Sequence, residues 1–360
     1  MGKTKAGIIT LPGNFNFGNR LQCYAMSQAI KRFGWQAVVL ERTCRFPLYR
    51  RIYYIVKEAL LDISGKGTAN NAEKMRTPGR IAAFERFGCH IPTVTLPGMG
   101  KSARDAYDFI IVGSDQVWNP YEIRHQESWF FAKFARPEQR IAVAASVGVD
   151  SFADFEQAEL VADGVRGFAH ISVREKRGAE LIKECSGCDA EVICDPTLTL
   201  SAEEWRVVAD GRCTPVEPYV FTYLLGGVGD EAADVLDKVT DHGQIPVVPL
   251  SDRQKPGEPD AGPAEFIDLV DHASHVVTDS FHAAVFSSIL HTPLTVVHRE
   301  GATNMFSRLE QLSEMLGIEE KIYGSPTYDL TCAGDYDGVD GAIAREREHF
   351  VSYLKGCLDG

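Results

Sequence analysis

The chain lacks any apolar run near the ~18 residues that a membrane-crossing helix needs. Its first residues pass directly into a strand-like segment, with neither the apolar core nor the small-residue cleavage site of a secretory signal. A cytoplasmic protein is expected. Basic charge is scarce: Lys and Arg number 37 against 50 Asp and Glu, a net charge of −13, so the basic footprint of a non-specific nucleic-acid binder is missing. Nine scattered cysteines, an odd number, do not form a secreted disulfide framework. Cys185-Ser186-Gly187-Cys188 has the spacing of half a zinc site, but a second pair is absent, and free thiols are the plainer account. No Gly-x-Ser-x-Gly elbow exists, which argues against an α/β-hydrolase. Gly98-Met99-Gly100-Lys101-Ser102 ends like a phosphate loop, yet Thr95 stands where that motif has its first glycine.

What remains is an ordinary globular composition, 44% apolar and 24% charged. At 360 residues the chain exceeds the size at which one core usually stops growing, so two domains are expected. Short β-branched runs alternate with apolar patterns of helical period. Strands are expected at 7–11, 36–40, 109–112 and 141–145, with a helix at 20–33. The continuous runs Phe109-Ile110-Ile111-Val112 and Ile141-Ala142-Val143-Ala144-Ala145 suit strands buried on both faces of a parallel sheet. After about residue 168 the rhythm restarts, with strands at 169–173, 191–194, 219–225, 245–250, 275–278 and 293–298. Helices fall at 232–239, 264–272, 281–290 and 305–316. Such alternation makes βαβ crossovers. The expected fold is α/β, two Rossmann-like doubly wound domains facing across a cleft. The first spans 1–166 and the second 167–325; a helical segment, 326–360, is free to pack back on the first.

Several strand ends carry polar side chains suited to chemistry. Asp279-Ser280-Phe281-His282 ends one strand and opens a helix, where open α/β sheets bind ligands. Asp279 or Ser280 can cap, leaving amides and a positive dipole end for an anion, and His282 can move a proton. A packed structural histidine is the competing account. Gly113-Ser114-Asp115-Gln116-Val117-Trp118-Asn119 offers a carboxylate, an amide and an aromatic plane, a set suited to sugar hydroxyls, or else a capped turn with Trp118 in the core. Arg174 ends another strand and either grips a carboxylate or phosphate by its planar fork or sits in an ion pair. Gly227-Val228-Gly229-Asp230-Glu231-Ala232 matches a dinucleotide fingerprint, with Asp252 placed after the next strand. Two carboxylates in its first helical turn oppose a pyrophosphate and favour a simple tight turn.

Taken in order, these pieces resemble the polysaccharide pyruvyl transferase family. The matching segments are Gly13-Asn14-Phe15-Asn16-Phe17-Gly18-Asn19, Val112-Gly113-Ser114-Asp115-Gln116-Val117-Trp118, Ser172-Val173-Arg174-Glu175, Cys194-Asp195-Pro196-Thr197, Thr278-Asp279-Ser280-Phe281-His282 and Asn304-Met305-Phe306-Ser307-Arg308-Leu309. The resemblance implies a GT-B-like arrangement, with an acceptor-side first domain and a donor-side second domain. It also implies transfer of a pyruvyl group from phosphoenolpyruvate to two sugar hydroxyls as a cyclic ketal, in synthesis of cell-surface polysaccharide or glycoconjugate. His282 then falls on the family's histidine and Arg174 on its donor-binding arginine. Ser280 stands where many members have arginine, so the donor site draws on Ser280, Phe281 and Arg308 or Arg299. Asn19 stands where many have aspartate; Asn14, Asn16, Asn19, Gln116 and Trp118 form the expected acceptor side, with Asp115 orienting or deprotonating the acceptor.

No metal or cofactor is required by this chemistry, with phosphoenolpyruvate as donor substrate. Two other readings stay open: a nucleotide-sugar-dependent glycosyltransferase on the same architecture, and a degenerate member that binds glycans without turnover. Residues 42–57 carry Arg42, Arg45, Arg50, Arg51 and Lys57 among aromatic and aliphatic residues, without an acidic one. A helix there would either pack on the first domain or lie on the inner face of an anionic membrane, near a lipid-linked acceptor.

Overall fold

The computed structural model describes residues 4–11, 15–42, 76–96, 104–123, 126–299 and 306–358. Asn14, residues 43–75, the segment 98–102, and Asn304 and Met305 lie outside them, and with them all of the proposed membrane helix beyond Arg42.

Seven parallel strands form one sheet: β1 (Lys5–Ile9), β2 (Gln36–Arg42), β3 (Thr93–Leu96), β4 (Phe109–Val112), β5 (Arg140–Ala145), β6 (His170–Val173) and β7 (Glu191–Val192). Their order is β3-β2-β1-β4-β5-β6-β7. Four more parallel strands, β8 (Val220–Tyr223), β9 (Val247–Leu250), β10 (His275–Thr278) and β11 (Leu294–Val296), form a second sheet in the order β11-β10-β8-β9. Both orders are doubly wound, the first reversing between β1 and β4 and the second between β8 and β10. Ligands of such sheets bind outside the carboxyl ends of the strands at the reversal.

The central strands are apolar because both faces are covered: Ile110 to Val112 and Ile141 to Ala145 are fully buried. The covering helices are α1 (Phe17–Lys31), α2 (Pro78–Gly88), α3 (Glu127–Phe130), α4 (Phe155–Val165), α5 (Lys176–Ser186), α6 (Ala202–Arg206), α7 (Asp230–Val239), α8 (Pro263–Asp271), α9 (Phe281–Leu290), α10 (Ser307–Leu316) and α11 (Val339–Leu358). Their starts follow capping chemistry. The Asn16 side chain accepts from the Asn19 amide at α1, and Thr77 caps α2 just ahead of Pro78.

The expected boundary at 166/167 is corrected by the pairing. Ile141 lies beside His170 and Ser172 beside Glu191, so β6 and β7 complete the first sheet and the second begins only at Val220. Apolar runs reveal strands but not which sheet a strand joins. At the far end α11 returns to the first sheet, where the Tyr353 hydroxyl donates to the Ala142 carbonyl at 2.8 Å.

The sheets share one core. Phe17 of α1 packs on Tyr223 and Phe266, with ring centroids 5.5 and 5.3 Å apart. From α2, the fully buried Arg80 donates to the Ser251 carbonyl at 2.6 Å and pairs with Glu258, and Arg86 pairs with Glu265 at 2.6 Å. Among the described residues no helix is long and apolar enough to cross a membrane.

Candidate active site

The loops leaving β1, β4, β8 and β10, the four strands at the two reversals, converge on one cavity of about 150 Å³. Asn16, Gly18 and Asn19 come from the first loop and helix start, Asp115 and Gln116 from the second, Tyr223 and Leu225 from the third, and the 279–282 turn from the fourth. Arg299 and Arg308 complete the wall.

The β4 loop is shaped by one glycine. Gly113 has φ 133°, and a Cβ there would lie 2.0 Å from the Val143 carbonyl oxygen, so only glycine fits. The next turn is pinned by buried bonds: the Ser114 amide donates to Gln22 Oε1, and the Val117 and Ser146 amides donate to the Asp115 carbonyl. Asp115 is thereby held over Arg174.

Arg174 follows β6 and is the hub of a carboxylate cluster. Its Nη2 donates to Asp115 Oδ1 at 3.0 Å, Nη1 to Asp195 Oδ2 at 2.7 Å and Nε to Glu175 Oε1 at 2.9 Å. Its guanidinium carbon lies 5.0 Å from the Phe281 ring centre. Burial pulls its pKa down, but the three carboxylates outweigh this and hold it above the ordinary value. Asp195 also accepts from the Thr197 amide and hydroxyl and from Ser114 Oγ. Burial pushes its carboxyl up, yet Arg174, His282 and the Thr197 donors bring it below the usual range.

His282 enters this cluster from α9. Its Nε2 lies 4.0 Å from Asp195 Oδ2 and has no hydrogen-bond partner among the described residues. Its Nδ1 edge packs on Gly18, where a Cβ would approach to 2.1 Å. Glycine at the start of α1 therefore makes room for the ring. Burial lowers the His282 pKa more than Asp195 and Asp115 raise it, and Arg174 and Arg308 add to the lowering.

The remaining lining gathers two arginines around the Asp279 turn. Asp279 accepts from the Leu225 and Gly226 amides, both at 2.7 Å, and ties the β10 loop to the β8 loop. Arg299 Nε donates to the same carboxylate at 3.2 Å. The Ser280 side chain makes no cap at α9, so the first amides of that helix stay open. Arg308 is half-buried, and no described residue forms an ion pair with it. Burial lowers its pKa, with Arg174 and Arg299 adding to the effect and Glu175 and Asp115 opposing it. The arrangement can hold an anion against Arg308 and the α9 terminus, beside an imidazole backed by carboxylates.

Most of the expected site residues meet here: Asn16, Asn19, Asp115, Gln116, Ser280, Phe281, His282, Arg299 and Arg308 all line the cavity. Two expectations are corrected. Arg174 lies behind the cavity, its fork committed to three carboxylates, and is not open to a donor. Trp118 is a core residue, fully buried against Phe131 and Phe168, with Nε1 donating to the Phe130 carbonyl. The Gly227 segment is a tight turn, with Gly227 at φ 87° and Asp230 and Glu231 opening α7. Tyr223, Leu225 and the supporting Asp195 and Glu175 were not singled out by type or spacing. Asp195 and Glu175 do sit in matched segments, and that was the only signal available for them. A larger cavity, about 1070 Å³, opens between α5 and α10 and shares no described residue with this one. Among the described residues no group of three His, Cys, Asp or Glu side chains is placed to hold a metal ion.

Comparison with known proteins agrees with this fold. The chain is similar over 98% of its length to a candidate UDP-N-acetylglucosamine 2-epimerase from Listeria monocytogenes, at 10% identity and a TM-score of 0.51, covering 91% of that chain. This likeness is one of fold, two α/β domains in the GT-B arrangement. The glycosyltransferase SnogD from Streptomyces nogalater aligns at 10% identity and a TM-score of 0.42, over 99% of this chain and 98% of that one. No curated protein matches. The family model described as polysaccharide pyruvyl transferase matches residues 16–299, from the start of α1 to Arg299 on the cavity wall. With most of the chain inside that match, the protein belongs to the polysaccharide pyruvyl transferase family.

Proposed function

We propose that the protein moves a pyruvyl group from phosphoenolpyruvate onto two hydroxyls of a sugar, forming a ketal, within cell-surface polysaccharide or glycoconjugate synthesis. The observation that carries this reading is what one cavity brings together: Arg308, with no carboxylate paired to it among the described residues, the open first amides of α9, and His282 4.0 Å from Asp195, with Asp115 beside them.

Phosphoenolpyruvate is an enol ester with two anionic groups. Arg308 and the α9 amides hold them, and Arg299, tethered to Asp279, adds positive field. His282 gives its proton to C3, which makes C2 electrophilic. A sugar hydroxyl attacks C2, and its proton returns to the imidazole. The C2–O bond to phosphorus breaks with its electron pair on phosphate. The second hydroxyl attacks C2, its proton leaves with phosphate, and the ketal closes. Asp115 accepts from Arg174 through one oxygen, and among the described residues nothing donates to the other. That oxygen is free to orient the attacking hydroxyl, with Asn16, Asn19 and Gln116 around it.

Titration calorimetry tests the donor. Phosphoenolpyruvate should bind and uridine or guanosine diphosphate should not; the reverse outcome would assign the cavity to a nucleotide sugar. Phosphate release that depends on a sugar acceptor should follow. A folded protein that binds phosphoenolpyruvate yet never releases phosphate would be a binding module instead.

A further inference from the structure

A second cavity, about 190 Å³, lies in the first domain beside the one described, and Asn19 lines both. It is set at the carboxyl ends of β1 and β2, beside the start of α1, and polar and apolar side chains share its lining. Arg20 and Arg42 stand on its wall. Each has a buried Nε–H with no hydrogen-bond partner among the described residues. Arg42 is held in place, with Nη2 donating to Gln126 Oε1 at 2.9 Å and its guanidinium 5.8 Å from the Trp129 ring centre. No described residue forms an ion pair with either arginine. Glu41, exposed at the rim, is the one carboxylate among the described residues lining this cavity.

A buried guanidinium N–H without an acceptor is a desolvated donor, and an anion is the acceptor that satisfies it most strongly. In a chain of charge −13, two such arginines in one cavity, against a single carboxylate, are a local reversal of sign. Their neighbour through Asn19 is the cavity where sugar hydroxyls react. Building on the pyruvyl-transfer reading, we infer that this second cavity is an anionic subsite for the acceptor: the sugar carries a phosphate or carboxylate group that Arg20 and Arg42 bind, while Glu41 accepts from hydroxyls at the rim. A glycosyl phosphate and a uronic acid both offer this chemistry.

The test is titration calorimetry with hexose 1-phosphates, the matching uronic acids and neutral methyl glycosides. The wild-type protein, Arg20→Gln, Arg42→Gln and Arg308→Gln are compared, with thermal melts to confirm folding. A charged sugar should bind well above its methyl glycoside and weaken about tenfold or more in Arg20→Gln and Arg42→Gln. Its binding should persist in Arg308→Gln. Preference for the phosphates or for the uronic acids then names the source of the anion. Phosphoenolpyruvate binding should follow the opposite pattern, weakened by Arg308→Gln alone. Equal binding of charged and neutral sugars, or loss of the charged sugar only in Arg308→Gln, overturns the subsite. Failure of phosphoenolpyruvate to bind, with sugar binding intact and sensitive to Arg20, overturns the donor assignment and leaves the subsite standing.

Discussion

Two arginines flank His282, and they are built differently. Arg174 has a side chain only 2% exposed and is bonded to Asp115, Glu175 and Asp195. Arg308 is half-buried on the cavity wall, pairs with no described carboxylate, and is depressed by burial and by its arginine neighbours. Residue type alone would call both of them anion holders. The surroundings divide the roles: a guanidinium already neutralised three times over positions carboxylates, whereas one left uncompensated is ready for an incoming anion. The same contrast separates the carboxylates gathered around Arg174 from the arginines that line the cavity with no such cluster about them.

The largest effect should come from breaking the neutralised hub. Arg174→Met leaves three buried carboxylates facing one another and should cost about 3–5 kcal/mol of unfolding free energy. Arg308→Met removes a repelled charge and should leave stability unchanged or raise it. Urea unfolding of the two variants compares them directly; a loss below about 1 kcal/mol in Arg174→Met would erase the distinction.

Next in size is the effect at His282, the proposed proton donor. His282→Ala should lower turnover by at least about two orders of magnitude while the chain stays folded. Gly18→Ala sharpens this, because its Cβ would occupy the space of His282 Nδ1 and displace the ring without removing it. Wild-type turnover in either folded variant would return His282 to the role of a packing residue.

A smaller effect separates the arginines in function. Arg308→Gln should raise donor KM about tenfold to a hundredfold with little change in stability. Arg174→Lys keeps a charge but loses the three-way fork, so it should lower stability and turnover and leave donor KM nearly unchanged. The opposite pattern, KM moving with Arg174 and not with Arg308, would restore the strand-end arginine as the donor fork.

How much of this was legible in the sequence follows from what each feature depends on. Strands such as Phe109–Val112 and His275–Thr278 declare themselves through local apolar runs, and α9 begins and ends where its pattern does. The cavity was legible as a set of strand-end turns, since such turns sit at the carboxyl edge of a parallel sheet. Partnership was not. Arg174 meets Asp195 across 21 residues and Asp115 across 59, and no local pattern carries those contacts. That β6 belongs to the first sheet is hidden for the same reason, as it rests on the pairing of Ile141 with His170. Trp118 in its polar loop read equally as platform or core, and only burial decided.

The finest test joins both walls of the cavity through the charge on His282. In the free chain burial holds its pKa below the ordinary value despite Asp195 and Asp115, with Arg174 and Arg308 adding to the depression. The ring is then neutral at about pH 7.5. Asp195 is held below the usual carboxyl range and keeps its charge there. An anionic donor neutralises the field of Arg308 and places negative charge beside the ring, which raises the His282 pKa. The bound state therefore holds more protons than the free state. Donor binding should take up as much as one proton, and affinity should fall as pH rises between the depressed free value and the raised bound one. Calorimetry in two buffers of different ionisation enthalpy measures the uptake, at a pH above about 7 where the donor's own phosphate is already ionised. His282→Gln should bind the donor with no uptake and a flat pH dependence. Release of protons on binding, or uptake that survives in His282→Gln, would mean that another group carries the proton and that the two walls are not coupled through this histidine.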